Sequence, residues 1–244
     1  MGYFISKPPV TVMLILVTML GSLNFSHAQG TRDRTPVPSE TLMTELGGTP
    51  IYIKTDYVFD GTPYFPEEYA KAIVILKSGK TFVDLKTRMN FYDNSLVMQL
   101  ADGTELVITG NVSKVIYELI PIGDKLKTVV FQRGFPAVNN FDSTTYYEVL
   151  DSGKVKLLKH SSVSYSDTRG YGEASMTRVF KKKESYYLLL PGNNIKQLEK
   201  GKNEFLSMLP DKRTEMERYI EDKKLKCKKE EDWTELVAYY NSIN

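Results

Sequence analysis

The tetrapeptide Ser78-Gly79-Lys80-Thr81 has the residue types that hold phosphate in nucleotide-binding loops. Such a loop needs the pattern Gly-x-x-x-x-Gly-Lys-Ser/Thr between a strand and a helix, and Val74 stands where the first glycine is required. After Thr81 the chain alternates apolar and polar residues, which is typical of a strand. We therefore interpret the tetrapeptide as a hairpin turn and predict no nucleotide site.

Nucleophilic and metal chemistry depend on very few side chains. The chain has two histidines and one cysteine, and His27 falls within a predicted leader. A Ser-His-Asp or Cys-His site would therefore have to use His160, and one histidine with a distant Cys227 cannot supply the three or four ligands of a zinc site. We predict no metal or cofactor, a structural His160 at a partly exposed strand end, and an inert Cys227 without an internal disulfide.

Carboxylate chemistry stays open because the sequence has 30 acidic residues and does not show which of them lie close together. A pair of carboxylates can hydrolyse a glycosidic bond. Clefts that bind sugars often use exposed aromatic platforms. The only tryptophan, Trp233, lies on a helix stripe where core packing explains it, so it gives little support to such a cleft. Tyrosine is plentiful, and pairs such as Tyr146-Tyr147 place one ring on each face of a strand.

The N-terminus predicts export. Lys7 precedes an apolar run over residues 10–20, and Ser26-His27-Ala28 forms a small-x-small cleavage site. This is the layout of a signal peptide over residues 1–28, with a flexible tether over residues 29–50. The apolar run is too short to span a bilayer comfortably, and nothing later in the chain resembles a membrane segment. The 32 basic and 30 acidic residues nearly balance, so nothing favours a nucleic-acid partner.

Residues 51–200 predict a β-rich domain. Val83, Leu85, Thr87 and Met89 alternate with polar residues, and short turn motifs such as Ser152-Gly153 separate successive runs. The fold class is mainly β: an antiparallel meander of about ten strands in a curved or two-layer sheet, with a C-terminal α-helical segment.

Residues 201–244 carry that helical segment. Its last helix has apolar residues at i, i+3, i+4 and i+7, namely Trp233, Leu236, Val237 and Tyr240. Such a narrow stripe must pack against something, and we expect it to pack on the β domain.

Two longer connections interrupt the meander, over residues 133–140 and 165–173. Binding residues often lie on long loops that a β scaffold positions. The candidate ligand-binding residues are Arg133, Phe135, Tyr165, Arg169 and Tyr171.

Several stretches resemble a family of exported bacterial proteins with no assigned activity. They are GTPYFPEEYAKAIVILKSGKTFVDLKTRMNFYDNSLVMQL, YYEVLDSGKVKLLKH, KKKESYYLLL and KKEEDWTELVAYYNSIN. The resemblance implies a periplasmic or extracellular location, and it brings no catalytic residue, cofactor or partner.

These observations favour a non-enzymatic exported protein that binds an unknown protein or small ligand in the cell envelope. One alternative is a secreted hydrolase that uses paired carboxylates. Another is a structural subunit that associates through its helical tail or a strand edge. A cleft with two close carboxylates would favour the hydrolase, whereas a large exposed apolar patch would favour an interaction protein.

Overall fold

The computed structural model describes residues 44–51, 57–172 and 174–243. The predicted leader and most of the predicted tether lie outside these residues. Twelve strands are present in the described part of the chain: β1 (Thr49–Pro50), β2 (Tyr57–Asp60), β3 (Tyr64–Leu76), β4 (Thr81–Asn90), β5 (Ser95–Gln99), β6 (Glu105–Val107), β7 (Val112–Ile122), β8 (Lys125–Gln132), β9 (Tyr147–Asp151), β10 (Lys156–Thr168), β11 (Met176–Leu190) and β12 (Asn194–Leu198). Three helices follow: α1 (Lys202–Met208), α2 (Arg213–Lys223) and α3 (Glu230–Ser242), with a 3-10 turn over Pro210–Lys212.

All twelve strands join one open sheet in the order β1-β6-β5-β4-β3-β7-β8-β9-β10-β11-β12. Every pairing along this path is antiparallel, and β2 adds to β11 in parallel. The predicted mainly β fold with C-terminal helices is confirmed, but the sheet has twelve strands rather than about ten. The count differs in part because a strand of two residues, such as β1, is too short to show an alternation.

The hairpin between β3 and β4 accounts for the tetrapeptide at residues 78–81. Gly79 has a φ of +86°, and its N–H donates to the carbonyl of Leu76 at 3.0 Å. Thr81 begins β4, so no helix follows the turn. Along β4 the residues Leu85, Thr87 and Met89 are buried in alternation, as predicted.

The alternation shifts at the start of β4, where Phe82 is buried and Val83 is only half-buried. Asp84 lies between them and Leu85 with a φ of +57°, opposite an irregularity in the pairing with β3.

The apolar core divides by sheet face in the second half of the chain. Leu157 and Leu188 pack with the helices, beside Phe205, Trp233 and Leu236. Their neighbours Leu158 and Tyr187 pack instead with Phe135, Tyr147 and Ile195. Because successive strand residues point to opposite faces, the helices cover one face of β9–β12 and the connection before β9 covers the other. A separate cluster, which includes Val74, Phe82, Met89, Val115 and Tyr117, fills the first half of the sheet.

The β10–β11 hairpin extends beyond β9 and β12, and β2 pairs with its outer part. Its pairing runs from Lys156 opposite Leu189 to Thr168 opposite Thr177. The predicted loop over residues 165–173 is therefore partly strand, because β10 continues to Thr168, and Glu173 lies outside the described residues. A segment rich in Ser, Thr and Asp resembles a loop in sequence, but here its residues as far as Thr168 pair with β11.

Candidate functional site

A cleft of about 700 Å³ lies where the outer half of the β10–β11 hairpin faces the beginning of β3 and the end of β4. This volume is within the range of small-molecule sites. Six aromatic side chains line it: Tyr57, Phe59, Tyr64, Tyr92, Tyr165 and Phe180. We refer to it below as the aromatic cleft.

Strand register explains one wall of the aromatic cleft. Tyr165 and Phe180 are directly paired on β10 and β11, so their rings lie on the same face. Arg178 is two residues before Phe180 and therefore shares that face. On β2, Tyr57 and Phe59 have the same two-residue spacing, and the ring centres of Phe59 and Phe180 are 6.1 Å apart.

A bulge in β3 shapes the opposite wall. Phe65 pairs with Met89, but the next paired residue, Ala70, faces Thr87, so residues 66–69 all lie opposite the single residue Arg88. Bulges of this kind redirect side chains and often occur beside functional sites. Glu67 and Glu68, two of the bulged residues, both line the aromatic cleft.

Each wall holds an arginine close to two tyrosine rings. The guanidinium carbon of Arg88 lies 3.6 Å from the ring centre of Tyr64 and 4.3 Å from that of Tyr69. The same guanidinium donates from Nη2 to both carboxylate oxygens of Glu105 at 3.3 Å.

On the other wall, the guanidinium carbon of Arg178 lies 3.9 Å from the ring centre of Tyr165 and 4.3 Å from that of Tyr57. Arg178 donates from Nε and Nη2 to the two carboxylate oxygens of Asp167, each at 2.8 Å. These hydrogen bonds lower the pKa of Asp167 and raise the pKa of Arg178, so both groups stay charged. Both arginines are therefore neutralised by carboxylates within the fold.

Three rings of the aromatic cleft remain open to solvent. Phe59 is 49% exposed, Tyr92 is 53% exposed and Tyr165 is 40% exposed. The rings of Tyr92 and Tyr165 lie 5.2 Å apart, and a hydrogen bond between their hydroxyls raises the pKa of Tyr92. Fully burying an aromatic side chain stabilises a protein by roughly 1.5–3 kcal/mol, so exposing three together forgoes a substantial gain.

Of the five predicted site residues, the structure brings Tyr165 into the aromatic cleft. Tyr171 is fully exposed beyond the end of β10, and neither it nor Arg169 lines the cleft.

Arg133 donates from Nε to the carbonyl of Val112 and from Nη2 to that of Gly110 at 3.0 Å, and Phe135 is buried against Tyr147. These contacts fix the connection before β9 to the sheet.

Sequence reasoning missed the other cleft residues. The alternation of Tyr57 and Phe59 was a usable signal for a strand with an aromatic face. Nothing local could show that this strand adds to β11, or that Arg88 and Arg178 each lie between two rings.

A second charged cluster joins α3 to the sheet. Lys159 Nζ lies 2.7 Å from Glu148 Oε2 and 3.0 Å from Glu230 Oε2, and the Tyr186 hydroxyl donates to the same Glu230 oxygen at 3.0 Å. Burial raises the pKa of Glu148. Burial alone would lower the pKa of Lys159, but Glu148 and Glu230 raise it. The lysine thus forms ion pairs with two carboxylates and ties the first turn of α3 to β9 and β10.

His160 and Cys227 are both buried. His160 is 5% exposed in the middle of β10, so the prediction of a partly exposed strand end was wrong. Its ring centre is 4.1 Å from that of Phe141, and burial lowers the pKa of His160 to about 4. Burial raises the pKa of the Cys227 thiol.

Within the described residues there is no group of three or more His, Cys, Asp or Glu side chains that could hold a metal ion. Across the same ranges, none of the helices has the length and apolar character needed to cross a membrane.

No family model matches the chain, and neither curated proteins nor solved structures give a match. The fold and the site therefore define this molecule by their own geometry: a mainly β protein on one open sheet, with an aromatic cleft beside a long hairpin.

Proposed function

We propose that this chain is an exported, non-enzymatic binding protein that takes its ligand in the aromatic cleft. The observation that supports this most is the group of exposed rings, Phe59, Tyr92 and Tyr165, around one concave site. Aromatic side chains are enriched where proteins recognise partners, because they offer a large rigid contact area. A ligand that covers these rings would remove their exposed apolar area from water, and this burial would favour binding.

Export rests on the N-terminal pattern. Lys7, the apolar run over residues 10–20 and the cleavage site ending at Ala28 support secretion into the periplasm or the extracellular space. We propose that the ligand is therefore a molecule of the cell envelope or its surroundings.

Export is tested by expressing the full chain in a bacterium and measuring the mass of the product in each cell fraction. We expect an exported product that begins at Gln29. Charged residues do not fit the apolar core of a signal peptide, so a Leu14→Arg/Leu16→Arg variant should keep residues 1–28 and stay in the cytoplasm. An unprocessed native chain in the cytoplasm would contradict the proposal.

One observation favours the hydrolase as a second candidate. Glu67 and Glu68 both line the aromatic cleft, so two carboxylates share one concave site. Both are exposed, whereas the general acid of a glycoside hydrolase usually lies in an apolar environment. This exposure is the reason to rank binding above hydrolysis.

The binding function is tested by NMR of the chain with 13C-labelled tyrosine and phenylalanine rings. The probes are choline, a lysine-containing tetrapeptide and N,N′,N″-triacetylchitotriose, a neutral glycan. We expect at least one probe to shift the Tyr92 and Tyr165 resonances, because these rings are open to solvent.

The variants Phe59→Ala and Tyr165→Ala should weaken binding of that probe by tenfold or more, since an aromatic contact contributes about 1–2 kcal/mol. Tyr171→Ala is the matched control, because it removes an exposed ring outside the aromatic cleft. Equal affinity in all three variants would contradict the assignment of the site. Turnover of a model glycoside that Glu67→Gln abolishes would establish the hydrolase instead.

A further inference from the structure

We propose that the aromatic cleft selects an organic cation, an ammonium or guanidinium group, which lies against Phe59 and Tyr92 with Glu67 and Glu68 nearby. This inference rests on the proposed function and names the class of ligand for the same site. Three observations support it: the packing of the cleft's arginines against tyrosine rings, the aromatic rings that no described cation covers, and the net charge of the cleft.

The cleft already places cations on aromatic faces. The guanidinium carbons of Arg88 and Arg178 each lie 3.6–4.3 Å from the centres of two tyrosine rings. A positive group is attracted to the face of an aromatic ring by the negative charge of its π-system, and desolvation strengthens this attraction. The walls are therefore built from the surface that recognises ammonium and guanidinium groups.

Two of the three exposed rings, Phe59 and Tyr92, are not covered by these arginines, whereas Tyr165 lies against Arg178. Neither Phe59 nor Tyr92 has a lysine or arginine over its ring in the described part of the chain. They are about half exposed and line the same cleft, so part of each ring is open to a group that enters from solvent.

The balance of charge then decides the sign of the ligand. Arg88 is paired with Glu105, and Arg178 with Asp167. The nearest further lysine on this face of β11, Lys182, is paired with Glu184 at 2.8 Å.

Glu67 and Glu68, by contrast, form no ion pair with any other described residue. The paired arginines contribute no net charge, so the two glutamates leave the cleft negative. Such a site repels phosphates and nucleic acids and attracts cations.

The first arm of the test measures charge selectivity. Choline and 3,3-dimethylbutan-1-ol have the same shape, but only choline is charged, and each is titrated into the chain with the Tyr92 and Tyr165 resonances as readout. We expect choline to bind at least tenfold more tightly than its neutral analogue. Equal affinity for the two would overturn the inference.

The second arm measures the contribution of the glutamates. A Glu67→Gln/Glu68→Gln variant keeps the size of both exposed side chains and removes their charge. It should weaken choline binding by about five- to tenfold and reduce its salt dependence, since exposed charges contribute modestly and are screened. Asp124→Asn, which removes an exposed carboxylate from the β7–β8 turn, should leave the affinity unchanged. No loss in the double variant would overturn the inference.

The third arm separates the source of the cation. Choline represents a free small amine, and the lysine-containing tetrapeptide represents a side chain, with its glutamine counterpart as the neutral control. Tighter binding of the lysine peptide than of choline assigns the site to a basic protein segment, and the reverse order assigns it to a small amine. Both orders support the cation.

Binding of the neutral glycan alone would overturn the cation while the proposed function stands. A cleft that no probe shifts would overturn both.

Discussion

His160 illustrates how position changes the chemistry of a residue. It is the only histidine outside the predicted leader, so a Ser-His-Asp or Cys-His site would have to use it. In the fold it is 5% exposed, and its ring centre lies 4.1 Å from that of Phe141 and 5.7 Å from that of Tyr147. Because burial disfavours the charged imidazolium, the ring stays neutral at physiological pH and acts as a packing residue.

We therefore expect acid to destabilise the protein through this histidine. The pKa of His160 is lowered from 6.5 to about 4 by burial, so the unfolded chain binds more protons than the native state between these values. Stability is fully present above pH 6.5 and is lost as the pH falls towards 4. The free energy of unfolding should drop by roughly 2 kcal/mol between pH 7.5 and 5 from this group.

The measurement is urea unfolding at several pH values, for the native chain and for His160→Phe. The variant keeps a ring against Phe141 and removes the titration, so its stability should change less over this interval. Parallel pH curves for the two proteins would contradict the lowered pKa.

At the scale of elements, the end of α3 supplies backbone hydrogen bonds of the kind that a neighbouring strand would make. Asn241 Nδ2 donates to the carbonyl of Val155 at 2.9 Å and to Asp151 Oδ1 at 2.8 Å, and Asn241 Oδ1 accepts from the N–H of Val155 at 3.0 Å. Gly153 permits this approach, because a Cβ at that position would lie 2.5 Å from Asn241 Cγ. The side-chain amide thus forms hydrogen bonds with both backbone polar groups of Val155, a fully buried residue just before β10.

We expect Asn241→Ala to lower the free energy of unfolding by about 1–3 kcal/mol, since it leaves the N–H and C=O of Val155 without partners. Chemical denaturation measures the change. Ser242→Ala is the matched control: its exposed hydroxyl only bonds the carbonyl of Tyr239, so its effect should stay within about 0.5 kcal/mol. A similar loss of unfolding free energy in both variants would contradict the role given to the hydrogen bonds between Asn241 and Val155.

At the scale of the whole molecule, the middle of the sheet has few backbone pairings where β8 meets β9. Only Phe131 opposite Glu148 and Gln132 opposite Tyr147 are paired there. Other contacts cross the same boundary: Asn94 Nδ2 donates to the carbonyl of Thr144, and the N–H of Val163 donates to the carbonyl of Phe91. The two halves are therefore joined by side chains and the long hairpin as well as by the sheet.

We expect the described sheet and helices to unfold in one cooperative transition. Trp233 is the only tryptophan and reports on the helical core, whereas far-UV circular dichroism reports on the whole sheet. The two signals should give the same midpoint in urea, because the halves share contacts that neither can satisfy alone. Two separate midpoints would show that the β8–β9 boundary divides independent folding units.

The sequence by itself determined the class of the fold and the type of most elements. Two local patterns show which face of an element is buried: the alternation in β4 and the i, i+3, i+4 and i+7 spacing around Trp233. Such patterns depend only on neighbouring residues, so they can be interpreted from the sequence. The sequence also determined that Ser78-Gly79-Lys80-Thr81 is a turn, because the required glycine is missing and a strand follows.

Only the tertiary structure decided where the candidate site lies. The walls of the aromatic cleft come from β2, β3, β4, β10 and β11, and their proximity depends on a parallel addition, a bulge and a hairpin register that no local pattern encodes. Tyr165 could be predicted because it lies on a polar, aromatic segment, but its partners could not. Strand pairing between distant segments depends on the sum of many non-local contacts. The same pairing places Asp167 beside Arg178, whereas Glu67 and Glu68 form no ion pair with another described residue.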